Sequence, residues 1–454
     1  MKLPLLFSDR LFFRSLFALA IPIMLQNLMT ALVNMLGIIM VGRLGTVEIA
    51  AVGLGIQVFF VYNMFLFGIC SGGAVFTAQF WGKGDIPGIR KNLGFCLTLN
   101  LAVAAVFTLG AALIPEKIIS IYTRDQALIK AGADYLRIFS LTFIPFAVSM
   151  AFTITLRSVE KVRLAIVVTL ITLSLNVVLN FLFIFGAGPF PAMGVEGAAL
   201  AVSICRILEM IILVCATYLL KYVPAGSLRE LFTFSSSYAR HFLKVTVPVI
   251  VQEMVWALGI STQNVIFART NTDAIAAFNI TAQASQLTWV LFIGMANSVA
   301  VLIGKKIGEG NEKTAKDYAS RIVRFAPILS IGAALILFSL TFLLPVVFNV
   351  NTLTLTAASQ MFFLLGCSYP FRAFNLTMIV GVCRAGGDTV FTAVYDTVVM
   401  WLVSLPLAAL AAFVFETPVW VIYSCLVIEE PLKAILGYWR LKTGKWLHNV
   451  IQAI

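Results

Sequence analysis

The sequence predicts an all-α integral membrane protein with twelve transmembrane helices in two six-helix lobes. Three observations support this fold class: the composition, a series of apolar stretches and an internal repeat. Of the 454 residues, 61% are hydrophobic and 11% are charged, and the mean hydropathy is +0.99. Soluble domains contain about 45–50% apolar and about 25% charged residues, so a mainly water-soluble protein is excluded.

Twelve apolar stretches form the predicted spans, and each is long enough to cross a hydrocarbon core of roughly 30 Å as a helix. The first extends to about Val41, which is too long for the apolar region of a signal peptide. The others lie near 52–80, 93–114, 132–156, 164–185, 197–220, 242–268, 274–303, 323–347, 354–381, 389–413 and 418–438. The connectors are too short for a separate globular domain.

Basic residues are unequally divided between the two sets of connectors, which predicts the orientation. One set and the two termini contain most of them, including Lys83, Arg157, Lys313, Arg384 and Lys433. The opposite set contains Arg43, Lys117, Arg124, Lys130, Arg137 and Arg269. We therefore expect both termini in the cytoplasm and the chain in the cytoplasmic (inner) membrane. The net charge of +12 then reflects topology, and we expect no nucleic-acid partner.

An internal repeat relates the two halves of the chain at an offset of 226 residues. Pro22 matches Pro248, Gln26 matches Gln252, and nine of the 33 positions from Pro22 to Leu54 are identical to their counterparts. Six spans in each half give both halves the same orientation, related by an axis along the membrane normal. We predict an N-terminal lobe at 1–225, a linker to about 240, and a C-terminal lobe at 241–454.

Sequence motifs argue against several classes of function. The chain contains no G-x-x-x-x-G-K-[ST], H-E-x-x-H or G-x-S-x-G segment, so we expect neither direct use of ATP nor enzyme activity. Its seven cysteines have no C-x-x-C spacing and lie in apolar runs, which argues against a metal site. Two similar lobes suit secondary transport by alternating access around a central site.

Five segments resemble the multidrug and toxic compound extrusion (MATE) family, and together they span nearly the whole chain. They are M-V-G-R-L-G-T-V-E-I-A-A-V-G-L (40–54), W-G-K-G-D (81–85), L-N-V-V-L-N-F-L-F-I-F-G (175–186), P-A-M-G-V-E-G-A-A-L-A (191–201) and R-A-G-G-D-T (384–389). The resemblance implies export of organic, often cationic amphipathic, compounds in exchange for H+ or Na+. We expect a monomer in the lipid bilayer, with a small organic molecule as substrate and no cofactor.

Two alternatives to this function remain open at the level of sequence. Flippases of lipid-linked precursors share this general architecture, and a scaffold or channel would also need twelve spans. A polyanionic lipid head group would be expected to need an arginine-lined cavity, whereas central cations are few here. This difference favours a small organic substrate.

Ionisable and polar side chains within the spans are the candidate functional residues, because such groups are costly in hydrocarbon. We predict Glu253 and Asp396 as ion-coupling residues. The polar candidates for a substrate cavity are Asn34, Asn176, Asn180, Gln26, Gln252, Arg372 and Glu429.

The three asparagines stand where the proton-coupled branch of the family has acidic and amide side chains. Glu253 lies about one turn before the glutamate of the sodium-coupled branch, and Ala373 stands at that branch's aspartate position. Neither branch's ion-coupling residues are all present in this sequence. The resemblance therefore does not decide between H+ and Na+ as the coupling ion.

Three further expectations concern pairing and capping. Arg206 and Glu209 are one turn apart and are predicted to form a structural pair. Glu253, near the middle of the membrane, must be protonated or paired, with Arg372 or Arg206 as possible partners. Asp388 precedes an apolar helical run and is predicted to cap the eleventh span.

The orientation can be tested with single cysteines in a cysteine-free variant. Lys83→Cys and Lys313→Cys should react only with membrane-permeant maleimides in intact cells, because both positions are predicted to be cytoplasmic. Val47→Cys and Asp273→Cys should also react with an impermeant maleimide. Labelling of position 83 by the impermeant reagent would show that the orientation is wrong.

Overall fold

Helices account for the secondary structure of the described residues, apart from one isolated β-bridge between Gly387 and Leu447. The computed structural model describes residues 10–186, 190–342, 344–347 and 350–452, with Leu287, Val346 and Val347 described by their backbone alone. The predicted all-α class is confirmed.

The helices of the first half follow one another with short connectors. They are α1 (Arg10–Val41), α2 (Thr46–Lys83), α3 (Ile86–Leu113), α4 (Pro115–Ser120), α5 (Gln126–Phe139), α6 (Phe143–Ser158), α7 (Val162–Phe185), α8 (Gly194–Leu219) and α9 (Leu228–Phe232). A 3-10 turn at Ser140–Thr142 joins α5 to α6, so these two helices form one span.

The second half contains α10 (Ser236–Thr270), α11 (Thr272–Gly308), α12 (Glu312–Thr341), α13 (Leu344–Val347), α14 (Thr352–Leu376), α15 (Thr389–Val399), α16 (Leu405–Phe413), α17 (Val419–Val427) and α18 (Glu429–Thr443). Two of its spans contain π-helical turns. The segment Thr377–Arg384 prolongs α14, and Met400–Ser404 joins α15 to α16.

Within the described residues, eleven helical stretches are long and apolar enough to cross a membrane. They coincide with the first eleven predicted spans, from α1 to α15–α16. The twelfth predicted span, 418–438, falls on α17 and α18, two shorter helices that meet at Ile428. Glu429, Glu430 and Lys433 lie just beyond this junction and make this span the most polar of the set.

Polar residues at helix starts explain several of the boundaries. Asp85 accepts a hydrogen bond from the backbone N–H of Gly88 at the start of α3, and Asn311 accepts one from Thr314 at the start of α12. These side chains satisfy backbone donors that have no partner within the first helical turn. Because Asp85 and Asn311 are repeat-related positions, the same turn is capped in the same way in each half.

The helices α7 and α8 pack closely at the small-residue segment Gly197-Ala198-Ala199. A Cβ on Gly197 would lie 2.4 Å from the backbone oxygen of Phe183, so α8 approaches the backbone of α7 directly. Ala198 and Ala199 are also buried. Small side chains let helix backbones approach closely in a membrane protein.

The chain forms two compact units. The first-half unit is Leu25–Thr246, and the second-half unit contains the chain up to Met24 together with Val247–Ile454. The first residues of α1 join the second-half unit through aromatic packing, since the Phe12 ring lies 4.5 Å from that of Tyr318 and Phe13 lies 5.0 Å from Phe325. The predicted lobes at 1–225 and 241–454 follow the order of the spans and stay a prediction.

Aromatic side chains form much of the core of the first-half unit. Tyr62 is fully buried and packs against Phe107 and Phe143, and its hydroxyl donates to the backbone oxygen of Phe143. Elsewhere in this unit α9 packs against α3, where a Cβ on Gly94 would lie 1.8 Å from the backbone oxygen of Leu231. That contact leaves room only for glycine.

Replacing Gly94 should destabilise the protein even though alanine is the better helix former. Gly94→Ala introduces a clash with backbone, and overpacking costs about 1–3 kcal/mol. Gly53→Ala in α2 is the matched control, because a Cβ at Gly53 has nothing within 4 Å and would gain helix propensity alone. Thermal denaturation of detergent-solubilised protein should show a lower midpoint for the first variant only. Equal midpoints would contradict the packing of α9 on α3.

Candidate functional site

A cluster of buried ionisable and polar side chains lies in the second-half unit. Asp396 Oδ1 on α15 is 2.7 Å from Lys433 Nζ on α18, and Glu429 Oε2 is 3.3 Å from the same ammonium group. Gln252 Nε2 on α10 donates to Asp396 Oδ2 at 3.0 Å, and the Ser404 hydroxyl donates to Glu429 Oε2 at 3.2 Å. Each of these five residues, here called the Lys433 cluster, is at most 9% exposed.

Glu253 lies next to Gln252 on α10 but has a different partner. Its Oε1 accepts from Arg384 Nη2 at 2.6 Å, and the two side chains are 12% and 4% exposed. The partners expected from the sequence, Arg372 and Arg206, are wrong, and so is the placement of Arg384 in a connector between helices. The π-helical segment that prolongs α14 keeps Arg384 within the helix, where burial requires a partner for its charge.

Arg372 on α14 is also paired one to one. Its Nε donates to Glu430 Oε1 at 2.9 Å and its Nη1 to the Ser285 hydroxyl at 3.0 Å. Asn375 Nδ2 donates to Glu430 Oε2 at 2.8 Å and so holds the carboxylate from a second direction. Arg372 is therefore neutralised by a neighbouring helix.

The charges of these groups do not cancel. Four carboxylates, those of Glu253, Asp396, Glu429 and Glu430, stand against three cations, those of Arg372, Arg384 and Lys433. Two of the carboxylates have their own arginine, whereas Asp396 and Glu429 share Lys433. When all three of its charged members are ionised, the Lys433 cluster carries one net negative charge. An uncompensated charge in a low-dielectric interior is costly, so the cluster favours binding a cation or a proton.

A second set of polar side chains, here called the Arg206 network, lies in the first-half unit. Gln26 on α1 accepts from Arg157 Nη2 at 2.6 Å and donates to the Thr169 hydroxyl at 2.7 Å. Thr169 donates in turn to Glu209 Oε1 at 3.1 Å. Arg206 Nη1 lies 2.7 Å from Glu209 Oε2, which confirms the predicted pair on α8.

The three asparagines predicted for a cavity lie in different environments. Asn34 is exposed on α1. Asn180 is 4% exposed on α7 and donates from Nδ2 to Asn176 Oδ1 at 2.9 Å. The structure therefore joins two of the three as an amide pair on one helix.

The Arg206 network and the Lys433 cluster use corresponding positions of the two halves. Gln26 and Gln252 are repeat partners. Gln26 donates a hydrogen bond to Thr169, and Gln252 donates one to Asp396. Arg157 corresponds within one residue to Arg384, and Thr169 corresponds within one residue to Asp396. The chemistry differs, because the Arg206 network has one carboxylate with two arginines, whereas the Lys433 cluster has two carboxylates with one lysine.

Asp388 occupies the first capping position of α15, but its carboxylate does not cap the helix. It accepts hydrogen bonds from Arg440 Nε at 2.7 Å and Nη2 at 2.9 Å, and these bonds raise the pKa of Arg440. The predicted capping role is wrong. A bidentate bond to a guanidinium is stronger than a bond to a neutral backbone N–H, so it takes the carboxylate away from the helix terminus.

Two members of the cluster were missed in the sequence, Ser404 and the central cation Lys433. Lys433 was counted with the basic residues of a cytoplasmic terminus, yet it is 5% exposed and pairs with two carboxylates. Its position four residues after Glu429 was an available signal, because oppositely charged residues at that spacing lie on one helix face. For Arg384 the sequence offers no comparable signal.

A family model for MatE matches the chain twice, at residues 22–182 and 248–410. The chain belongs to the MATE family. The two matches begin 226 residues apart, which is the offset of the internal repeat. It is therefore a multi-pass membrane protein of a family of transporters.

Relatives of this MATE protein cover nearly its whole length. It is 25% identical over 443 residues to the probable multidrug resistance protein NorM of Thermotoga maritima, covering 95% of this chain and 93% of that one. It is 26% identical over 453 residues to the uncharacterized transporter YisQ of Bacillus subtilis, covering 97% and 96%.

Solved structures show the same fold. A crystal structure of MATE in complex with MaL6 matches with a TM-score of 0.86 at 18% identity. An outward-facing multidrug resistance MATE family transporter of the MOP superfamily matches with a TM-score of 0.85 at 18% identity. In each case 95% of this chain and 96% of the other are covered.

The Glu253–Arg384 pair can be tested by comparing single and double variants. Arg384→Gln leaves a buried carboxylate without its partner, which should cost about 3–5 kcal/mol. Adding Glu253→Gln removes that carboxylate and should restore much of the lost thermal stability in detergent. Lys316→Gln is the control, because its pair with Glu312 is exposed and should contribute about 0–1 kcal/mol. Additive losses in the double variant would contradict the pairing.

Proposed function

We propose that this MATE protein is a monomeric secondary transporter that exports organic amphipathic small molecules, often cationic, in exchange for H+ or Na+. We place it in the cytoplasmic membrane with both termini in the cytoplasm. Family membership and the relative named as a multidrug resistance protein support the substrate class. The Lys433 cluster is the observation that carries the ion coupling.

The coupling ion binds where charge is least compensated. Asp396 and Glu429 converge on Lys433 from α15 and α18, so the addition of one proton or one Na+ neutralises the cluster. Oxygen atoms suitable for Na+ are present in the two carboxylates and the Ser404 hydroxyl, and either carboxylate can instead take a proton. Gln252 Oε1 is also buried without a hydrogen-bond partner among the described residues and adds another acceptor.

Glu253, the other predicted coupling residue, acts in this proposal through its ion pair. Its carboxylate is compensated by Arg384, so it has less need of an additional cation than the Lys433 cluster. The pair fixes α10 against the π-helical end of α14, and Gln252 on the same helix reaches Asp396. Glu253 thereby positions the helix that holds the coupling carboxylate.

Transport follows if binding of the ion changes which state of the transporter is favoured. A cluster with net negative charge attracts a cationic substrate, and a bound H+ or Na+ removes that attraction. Ion and substrate then exclude one another, which is the requirement for exchange. A ligand shifts a conformational equilibrium only by its difference in affinity for the two states.

Replacing Asp396 should uncouple transport. In proteoliposomes, wild-type protein should release H+ or Na+ when ethidium is added, and Asp396→Asn should lose this release and ion-driven ethidium efflux by at least about tenfold. The physical reason is that the variant leaves Glu429 and Lys433 as a neutral pair. Parallel measurements with each ion gradient alone identify the coupling ion.

Asp317→Asn provides the matched control, because Asp317 is half exposed and pairs with Arg321 on the surface of α12. It should retain full efflux. Wild-type activity in Asp396→Asn, with unchanged pH and Na+ dependence, would remove Asp396 from the coupling site. Equilibration of ethidium without an ion requirement would favour a channel, and unchanged accumulation would favour a scaffold or a lipid-linked precursor flippase.

A further inference from the structure

We propose that Arg206 is a recognition site for an acidic group, such as a carboxylate, on a transported organic compound. The inference rests on the proposed export function and deepens it by naming part of the substrate's chemistry. A compound with both a cationic and an acidic group would bind at this site and would also belong to the substrate class proposed above.

The guanidinium of Arg206 is held in place but only partly used. Its Nη1 is 2.7 Å from Glu209 Oε2, and its central carbon lies 4.9 Å from the centre of the Phe146 ring. These contacts fix one edge and one face of a planar group. In the described part of the chain, no hydrogen-bond partner engages the remaining nitrogens, Nε and Nη2. These two atoms form the fork that binds a carboxylate through two parallel hydrogen bonds.

Arg206 lies near the middle of α8 and is partly exposed. It lies about 18 Å along the axis of α8 from Gly194, at 1.5 Å per residue, which is near the middle of that helix. Its side chain is 21% exposed. A charged group in the middle of a span faces a bundle interior or a water-filled cavity rather than lipid. We infer that the exposed part of the Arg206 side chain faces such an interior space and not lipid.

The charge of the surrounding network favours an anion. Arg157 and Arg206 are opposed in the Arg206 network by one carboxylate, that of Glu209. Arg157 Nε is buried without a hydrogen-bond partner among the described residues, so the network also has more donors than acceptors. An acidic ligand on Arg206 supplies the missing negative charge.

Two of the helices that pack against α8 supply an amide pair and an aromatic ring. On α7, Asn180 Nδ2 donates to Asn176 Oδ1 at 2.9 Å. Phe146 on α6 provides an aromatic surface under the guanidinium. An aromatic organic acid can place its acidic group on Arg206 and its ring near Phe146.

A matched pair of dyes tests the proposal. Rhodamine 110 has a free carboxylate, and rhodamine 123 is its methyl ester with the same ring system. Fluorescence anisotropy with purified protein in nanodiscs should show that Arg206→Gln weakens binding of the acid about 10- to 100-fold, as expected for loss of a charge-assisted contact, and leaves the ester nearly unchanged. The double variant Arg206→Gln/Glu209→Gln should show the same selectivity without an unpaired carboxylate.

Arg137→Gln/Asp134→Asn is the control, because it removes an exposed Arg–Asp pair with the same spacing on α5. It should bind both dyes as the wild type does. Equal loss of both dyes in the Arg206 variants, or unchanged binding of the acid, would overturn the proposal. Wild-type protein that binds the ester but not the acid would overturn it as well.

The same dyes separate this inference from the proposed function. Asp396→Asn should lose ion-driven transport of both dyes yet keep the wild-type ratio of acid to ester binding. If wild-type protein transports the ester and the ratio does not depend on Arg206, export stands and the inference fails. If wild-type protein neither binds nor transports either dye, the proposed function fails, and the inference fails with it.

Discussion

The free-energy cost of burying charge determines how the ionisable residues of this protein are arranged. Hydrocarbon offers no solvation to an ammonium or a carboxylate, so each such group inside a span must find a partner from another helix or from its own next turn. The pairs Glu253–Arg384, Arg372–Glu430 and Arg206–Glu209 all meet this requirement with contacts of 2.6 to 2.9 Å. Breaking such a pair costs free energy, so the pairs between helices also hold those helices together.

Buried charge is incompletely neutralised at two places. A ligand of opposite charge stabilises the protein most at these places. The Lys433 cluster has one carboxylate too many, and the Arg206 network has one guanidinium too many. Both are built on corresponding helices of a duplicated sequence, with Gln26 and Gln252 in equivalent roles. Duplication followed by divergence of a few charged positions can thus give one chain a site for a cation and a site for an acidic group.

The sequence was sufficient for the fold because fold class depends on features summed over many residues. The composition, the span lengths and the repeat each average over such sets. The candidate site depends instead on where single side chains meet. Arg384 and Lys433 lie near the ends of apolar stretches, where a basic residue predicts a cytoplasmic loop and a buried ion pair equally well. The bidentate bond that draws Asp388 to Arg440 joins residues too distant in sequence for a local pattern to reveal.

The π-helical turns in the second half bear on how the duplicated halves diverged in length. A π turn bonds residue i to i+5, so it accommodates one more residue than an α turn while the helix continues in the same direction. The second match of the family model is two residues longer than the first, and the second half contains π segments at Thr377–Arg384 and Met400–Ser404. Correspondence between the halves shifts from 226 residues at Gln26 to 227 at Arg157, whose counterpart Arg384 ends the first π segment. In a regular α-helix, one inserted residue would rotate every later side chain by about 100°. A π turn absorbs the inserted residue, so the later side chains keep their face of the helix and no loop becomes longer.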